Sequence, residues 1–122
     1  MFLENLVQSL RTEFAVVGAL TSGAEVAQHA QTLLPDIILL DISLGETNGF
    51  DVAAALKKIN CPAKLIFISL HENPALVRRA FALGAKGYVF KSRTEDIPTA
   101  IRRVLGGGAY SPIGQDTVPP SE

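Results

Sequence analysis

The sequence is nearly empty of cysteine, with Cys61 standing alone. One thiol cannot close an internal disulfide, and without companion ligands it makes no metal site. No apolar run is long enough to span a bilayer. The opening residues, MFLENLVQSLRTEF, carry Glu4 early and lack both a basic flank and a small-residue cleavage site. They do not read as a secretory signal, and the expected compartment is the cytoplasm. A surplus of charge is missing too. Eleven Lys and Arg against twelve Asp and Glu leave a net charge of −1, which builds no basic face for nucleic acid. The pairs Arg78–Arg79 and Arg102–Arg103 read as solvated helix faces. There is also no P-loop and no G-x-G-x-x-G after a strand; the glycines at 106–108 follow a helix.

What remains is a 122-residue chain that is 48% hydrophobic, enough for one domain with a full core. Residues 2–14 place Phe2, Leu3, Leu6, Val7, Leu10 and Phe14 on one helical face. AVVGAL, residues 15–20, has the composition of a short strand. Ser22 with Glu25 three residues later reads as a capping box, opening a helix that Pro35 stops. Residues 37–41 form a second strand. Asn48 is placed to cap a helix carrying Phe50, Val52, Ala53, Leu56 and Ile59. AKLIFIS is the third strand. Asn73-Pro74 is a helix start, with a capping Asn and Pro at the first helical position, and that helix ends near Leu83. GYVF, residues 87–90, is the fourth strand. Thr94 or Ser92 is expected to cap the last helix, which fades into Gly106–Gly108. Residues 111–122, with three prolines and no periodicity, read as a linker or frayed tail.

Helices and strands thus alternate, which predicts a parallel sheet covered by helices on both faces. Strands buried on both sides are continuously apolar. Three of them are followed directly by polar groups: Asp41, Ser69 and Lys91. In open α/β sheets, ligands bind beyond the carboxyl ends of the strands, so a carboxylate, a hydroxyl and an ammonium are expected to face one space. The set suits phosphoryl chemistry, with Asp41 as a carboxylate nucleophile and Lys91 and Ser69 contacting phosphate oxygens. A buried Asp–Lys ion pair with no chemistry fits the same spacing equally well.

PDIILLDISLGETNGFD, LIFISLHEN and ALGAKGYVFKS, in this order, resemble the response-regulator receiver domain, the CheY-like fold. The resemblance covers residues 2–110, and AIRRVLGGGAYSP further resembles receivers joined to a helix-turn-helix output domain. It implies an α/β, flavodoxin-like domain over residues 1–110. By the resemblance Asp41 is the phosphoacceptor, Ser69 and Lys91 contact the phosphoryl group, and Tyr88 is the aromatic switch residue. The backbone carbonyl of Ser43, with Asp41, would help hold Mg²⁺. The implied partners are a histidine kinase and a second copy of the chain, with no direct nucleic-acid or membrane contact by this domain. The implied role is to control an output, of a transcriptional kind, rather than to act as an enzyme.

The sequence departs from the family in ways that matter. Family members open with a strand ending in two acidic residues, which hold the Mg²⁺; residues 1–14 correspond to the helix that follows it. Gly45 replaces the usual proline, and Leu70 replaces a small residue. In the family order 2-1-3-4-5 the first strand lies mid-sheet, so AVVGAL and the strand at 37–41 are expected to lie about 10 Å apart. Each unsatisfied buried backbone group costs about 1–3 kcal/mol. The expectation is that the chain starts upstream, that the two strands pair directly, or that another chain supplies a strand. The missing acids also support an alternative: a degenerate receiver that binds protein partners without being phosphorylated.

Overall fold

The structure, a computed structural model, describes residues 2–19, 25–44 and 47–114. Its helices are α1 (Phe2–Leu10), α2 (Val26–Leu33), α3 (Gly49–Lys58), α4 (Pro74–Ala82) and α5 (Ile97–Leu105). The strands are β1 (Ile37–Asp41), β2 (Ser43–Leu44), β3 (Thr47–Asn48), β4 (Lys64–Ser69) and β5 (Gly87–Phe90). β1, β4 and β5 form a parallel sheet in that order, and β2 and β3 make a two-residue antiparallel ribbon. Asp41 lies beside Ile68, and Ser69 beside Phe90.

Side chains alternate across a strand, and here the alternation divides the core in two. Leu40, Leu65, Phe67, Tyr88 and Phe90 face α2, α3 and α4, joined by Val26, Phe50, Leu56, Val77 and Phe81. Ile66, Ile68 and Val89 face α1 and α5, joined by Leu10, Ile97, Ile101 and Val104. Both faces being covered, β4 from Leu65 to Ile68 and β5 from Gly87 to Phe90 are filled by apolar and aromatic residues, as a doubly covered parallel sheet demands. Phe67 is the centre of the first cluster. Its ring lies 5.3 Å from that of Phe50 and 6.5 Å from that of Tyr88.

Helix ends follow their residues. The Asn48 side chain accepts the Phe50 N–H at 2.7 Å, and Asn73 accepts the Ala75 N–H at 2.9 Å, so both expected caps are present. Leu34 ends α2 in the left-handed region, φ 49°, just before Pro35. The Ser22 capping box lies outside the described residues, and Glu25 at the helix start makes no side-chain cap.

Two expectations are corrected. Residues 15–19 of AVVGAL form no strand and make no backbone hydrogen bond among the described residues; Leu20 lies outside them. An apolar run becomes a strand only where a neighbouring strand offers a ladder, and among the described residues it has none. Val16 packs on the α5-side core while Val17 is 55% exposed. Among the described residues β1 is therefore paired on one side only, which bears on the expectation that the two strands pair directly: they do not. The second correction concerns Ser92 and Thr94. Neither caps the last helix. Residues Lys91–Asp96 form a 3-10 turn, and α5 opens at Ile97 with Asp96 before it and Pro98 in its first turn.

Replacing Phe67 by Ala empties the meeting point of three rings. The expected loss is about 3–5 kcal/mol, a large share of a domain stability of roughly 5–15 kcal/mol. Replacing Leu70, which is 74% exposed, is expected to change stability by less than about 0.5 kcal/mol. Urea unfolding of the two variants measures both, and similar losses would contradict this account of the core.

Candidate functional site

Parallel strands of matched register bring their carboxyl ends to one edge. β1 ends at Asp41, β4 at Ser69, and β5 at Phe90 with Lys91 next. The Lys91 ammonium lies 2.5 Å from Oδ2 of Asp41, with the two side chains 21% and 22% exposed. The pair joins β1 to β5 across the end of β4, the strand between them. It is open enough for a reagent to approach and sheltered enough for its charges to be felt.

The loop after Asp41 is held tightly against the site. The Gly49 N–H donates to the Ile42 carbonyl at 2.7 Å. A Cβ on Gly49 would stand 2.7 Å from Cα of Ile42 and 2.8 Å from the carbonyl oxygen of Asp41. Only glycine lets the start of α3 lie directly on the backbone of Asp41. Its role is close approach of two backbones.

Ser69 and Tyr88 meet on a residue that sequence reasoning missed. The His71 N–H donates to Ser69 Oγ at 2.9 Å, and the Tyr88 hydroxyl donates to the His71 carbonyl at 3.0 Å. The loop after β4 is thus gripped on both sides of one residue by its main chain. Tyr88 is fully buried, with its ring turned inward against Phe67 and Phe90. The next residue, Glu72, accepts the Ser92 hydroxyl at 2.8 Å, tying the loop after β4 to the turn after β5. No side-chain pattern announces His71, because its role lies in its peptide groups.

Four of the five residues singled out from the sequence, Asp41, Ser69, Tyr88 and Lys91, therefore lie at or beside one sheet edge. The fifth, Ser43, pairs with Asn48 in the ribbon that follows β1. Among the described residues no group of three or more His, Cys, Asp or Glu could hold a metal ion. Asp41 and the Ser43 carbonyl alone do not fit a magnesium site of ordinary strength, which takes one or two carboxylates, waters and phosphate oxygens.

Burial pushes the Tyr88 phenol above its ordinary range, partly offset by the Ser69 hydroxyl. Burial also raises Tyr110, reinforced by Asp96 and opposed by Arg93 and Arg103. A phenol raised in the folded state contributes stability that is complete below the unfolded value, about pH 10, and is lost as pH rises through the folded value. The chain has two Tyr and no Trp, so tyrosinate absorbance reports these two groups alone. Native protein is expected to titrate at higher pH than urea-unfolded protein, with stability falling above about pH 10. Coincident titration curves would contradict this.

Comparison with known proteins gives the same reading as the geometry. The family model of the response regulator receiver domain matches residues 1–102. The chain is 33% identical over 116 residues to the probable transcriptional regulatory protein NarL of Mycobacterium tuberculosis, covering 92% of this chain and 54% of that protein. It is 32% identical over 100 residues to the transcriptional regulatory protein DesR of Bacillus subtilis, covering 81% of this chain and 49% of that one. The chain thus spans about half the length of these curated relatives. The solved signal receiver domain of the putative response regulator NarL from Mycobacterium tuberculosis superimposes with a TM-score of 0.77 at 32% identity, over 85% of this chain and 86% of that one. With three parallel strands and five α-helices among its described residues and polar groups at the strands' carboxyl edge, the chain belongs to the receiver-domain family of two-component response regulators.

Proposed function

We propose that Asp41 accepts a phosphoryl group from a histidine kinase and that the domain then switches a transcriptional output. The observation that carries this reading is the Lys91–Asp41 contact at the open edge of the sheet. A carboxylate oxygen of Asp41 attacks the phosphorus of a phosphohistidine. The new P–O bond makes an acyl phosphate, the P–N bond breaks, and the imidazole leaves with its electron pair. Lys91 has its ammonium on the carboxylate already, and its positive charge offsets the charge gathering on the phosphoryl oxygens. Ser69 spends its oxygen on the His71 N–H and keeps a hydroxyl proton to donate. When it turns to the phosphoryl group, His71 loses one of its two restraints, and Tyr88 holds the other.

In this reading the receiver unit occupies residues 1–110 and a linker follows from 111. The domain works in the cytoplasm, touches neither membrane nor nucleic acid directly, pairs with a second copy through the face around β5, and is a switch rather than an enzyme. No helix among the described residues is long and apolar enough to cross a membrane. Magnesium, which receiver domains generally bind at an acidic pocket, would be held weakly here, by Asp41 and the Ser43 carbonyl among the described residues. A second reading is a degenerate receiver that binds protein partners without phosphorylation; it is favoured by the absence, among the described residues, of any group of three His, Cys, Asp or Glu that could hold a metal.

Incubation with acetyl phosphate and Mg²⁺, followed by mass mapping, separates the two. The first reading expects a single phosphoryl group on Asp41, absent from Asp41→Asn. Modification that survives in Asp41→Asn contradicts the assignment, and an unlabelled wild-type chain favours the degenerate reading.

A further inference from the structure

After α5 the chain turns through Gly107, φ +94°, and comes back along the outer edge of β5. The Tyr110 N–H donates to the Lys86 carbonyl at 2.9 Å, and the Tyr88 N–H donates to the Tyr110 carbonyl at 3.1 Å. The two bonds make one parallel bridge, Gly87 to Tyr110. A parallel ladder would next need the N–H of residue 112 for the Tyr88 carbonyl. Residue 112 is proline and has no N–H to give. The added strand is one bridge long because the sequence stops it there.

Side chains hold this short strand in place. The Tyr110 hydroxyl donates to Oδ2 of Asp96 at 2.9 Å, and the Arg103 guanidinium lies 5.7 Å over the Tyr110 ring. Ala109 and Ile113 pack on the α4-side core, and Tyr110 packs on the α5-side core. Asp96 also takes Arg93 at 3.2 Å.

Both attachments lead back to the site within a few residues. Asp96 closes the 3-10 turn that Lys91 opens, and Lys91 is anchored on Asp41. Tyr88, whose N–H holds the Tyr110 carbonyl, is the residue whose hydroxyl holds the loop after β4.

We propose that residues 109–113 are a latch on β5 whose hold is set by where Lys91 sits, so that the state of Asp41 governs the path of the chain after α5. The proposal rests on the reading of Asp41 as phosphoacceptor. A phosphoryl group adds about 1.5 to 2 negative charges and carries the anion outward along the Asp41 side chain. Lys91 follows its counter-charge and draws the start of the turn with it. The turn is six residues long with a break at Arg93, φ −136°, ψ 55°; Arg93, two residues from Lys91, is itself paired with Asp96, and through that pair the displacement reaches Asp96. Asp96 then keeps Arg93 and gives up the Tyr110 hydroxyl. Loss of that tie weakens the hold on the segment, and weakly held elements open at low free energy. Release frees the segment and uncovers the edge of β5, a row of peptide groups open to another strand.

Amide hydrogen exchange on the 122-residue chain, read at Tyr88 and Tyr110 by NMR, tests this. Lys91→Ala cuts the anchor without any phosphoryl group, and is expected to speed exchange of both amides about tenfold while Phe67 and Ile68 stay protected. Tyr110→Phe, which removes the tie to Asp96, is expected to do the same at residue 110. Should Lys91→Ala lose Phe67 protection, Lys91→Met keeps the stem of the side chain and serves instead. Unchanged exchange in the Lys91 variant with an intact core overturns the latch. Beryllofluoride with Mg²⁺ supplies the third arm, its seat on Asp41 read by fluorine NMR. Seating with faster exchange at residues 88 and 110 supports the proposal, and seating without it overturns the proposal. Failure to seat counts against the phosphoacceptor reading alone, and the Lys91 variants then decide the latch.

Discussion

A single ion pair closes the functional edge of this domain. β1 and β5 are not neighbours; β4 lies between them, and two strand spacings are about 10 Å. The long Lys91 side chain crosses that interval to reach Asp41. Everything else at the edge is arranged around that crossing. Gly49 lets α3 begin against the Asp41 backbone. The 3-10 turn begins at Lys91 because the residue must leave β5 and still aim back over the strand ends. Ser69 and Tyr88 hold the loop that overhangs β4. A pair about one-fifth exposed on each side, open at the sheet edge, contributes modestly to stability, so its value lies in position.

The grip on His71 shows how a small rearrangement at the edge can be felt elsewhere. Its two peptide groups are held by two buried side chains from two strands, Ser69 of β4 and Tyr88 of β5. Tyr88 is packed between Phe67 and Phe90, and its peptide N–H holds the segment that follows α5. The same residue thus meets the loop through its hydroxyl and the following segment through its backbone. Close-packed interiors pass on displacements rather than absorb them.

Much of this was legible in the sequence. The bounds of β1 and β5 follow from uninterrupted aliphatic and aromatic runs, because a parallel sheet covered on both faces leaves no polar position to fill. Asn48 and Asn73 declare their helices through local hydrogen bonds that need no tertiary context. Asp41, Ser69 and Lys91 were visible as polar residues placed directly after such runs. AVVGAL misled because composition encodes the capacity to be a strand but not the presence of a partner for its ladder. Ser92 and Thr94 misled as caps because the turn there is set by a lysine tethered to a carboxylate 50 residues earlier in the chain. His71 and the bridge at Tyr110 left no trace, since each acts through main-chain groups that every residue has.

The central claim is that the Asp41–Lys91 pair is a reactive centre kept at the edge, not a brace for the fold. A double-mutant cycle by urea unfolding tests it most directly, using Asp41→Asn, Lys91→Gln and the combined variant. The account predicts a coupling energy of about 1 kcal/mol or less, as for a partly exposed pair, with all three variants folded. Breaking a structural buried pair costs about 3–5 kcal/mol, and a coupling of that size here would contradict the account.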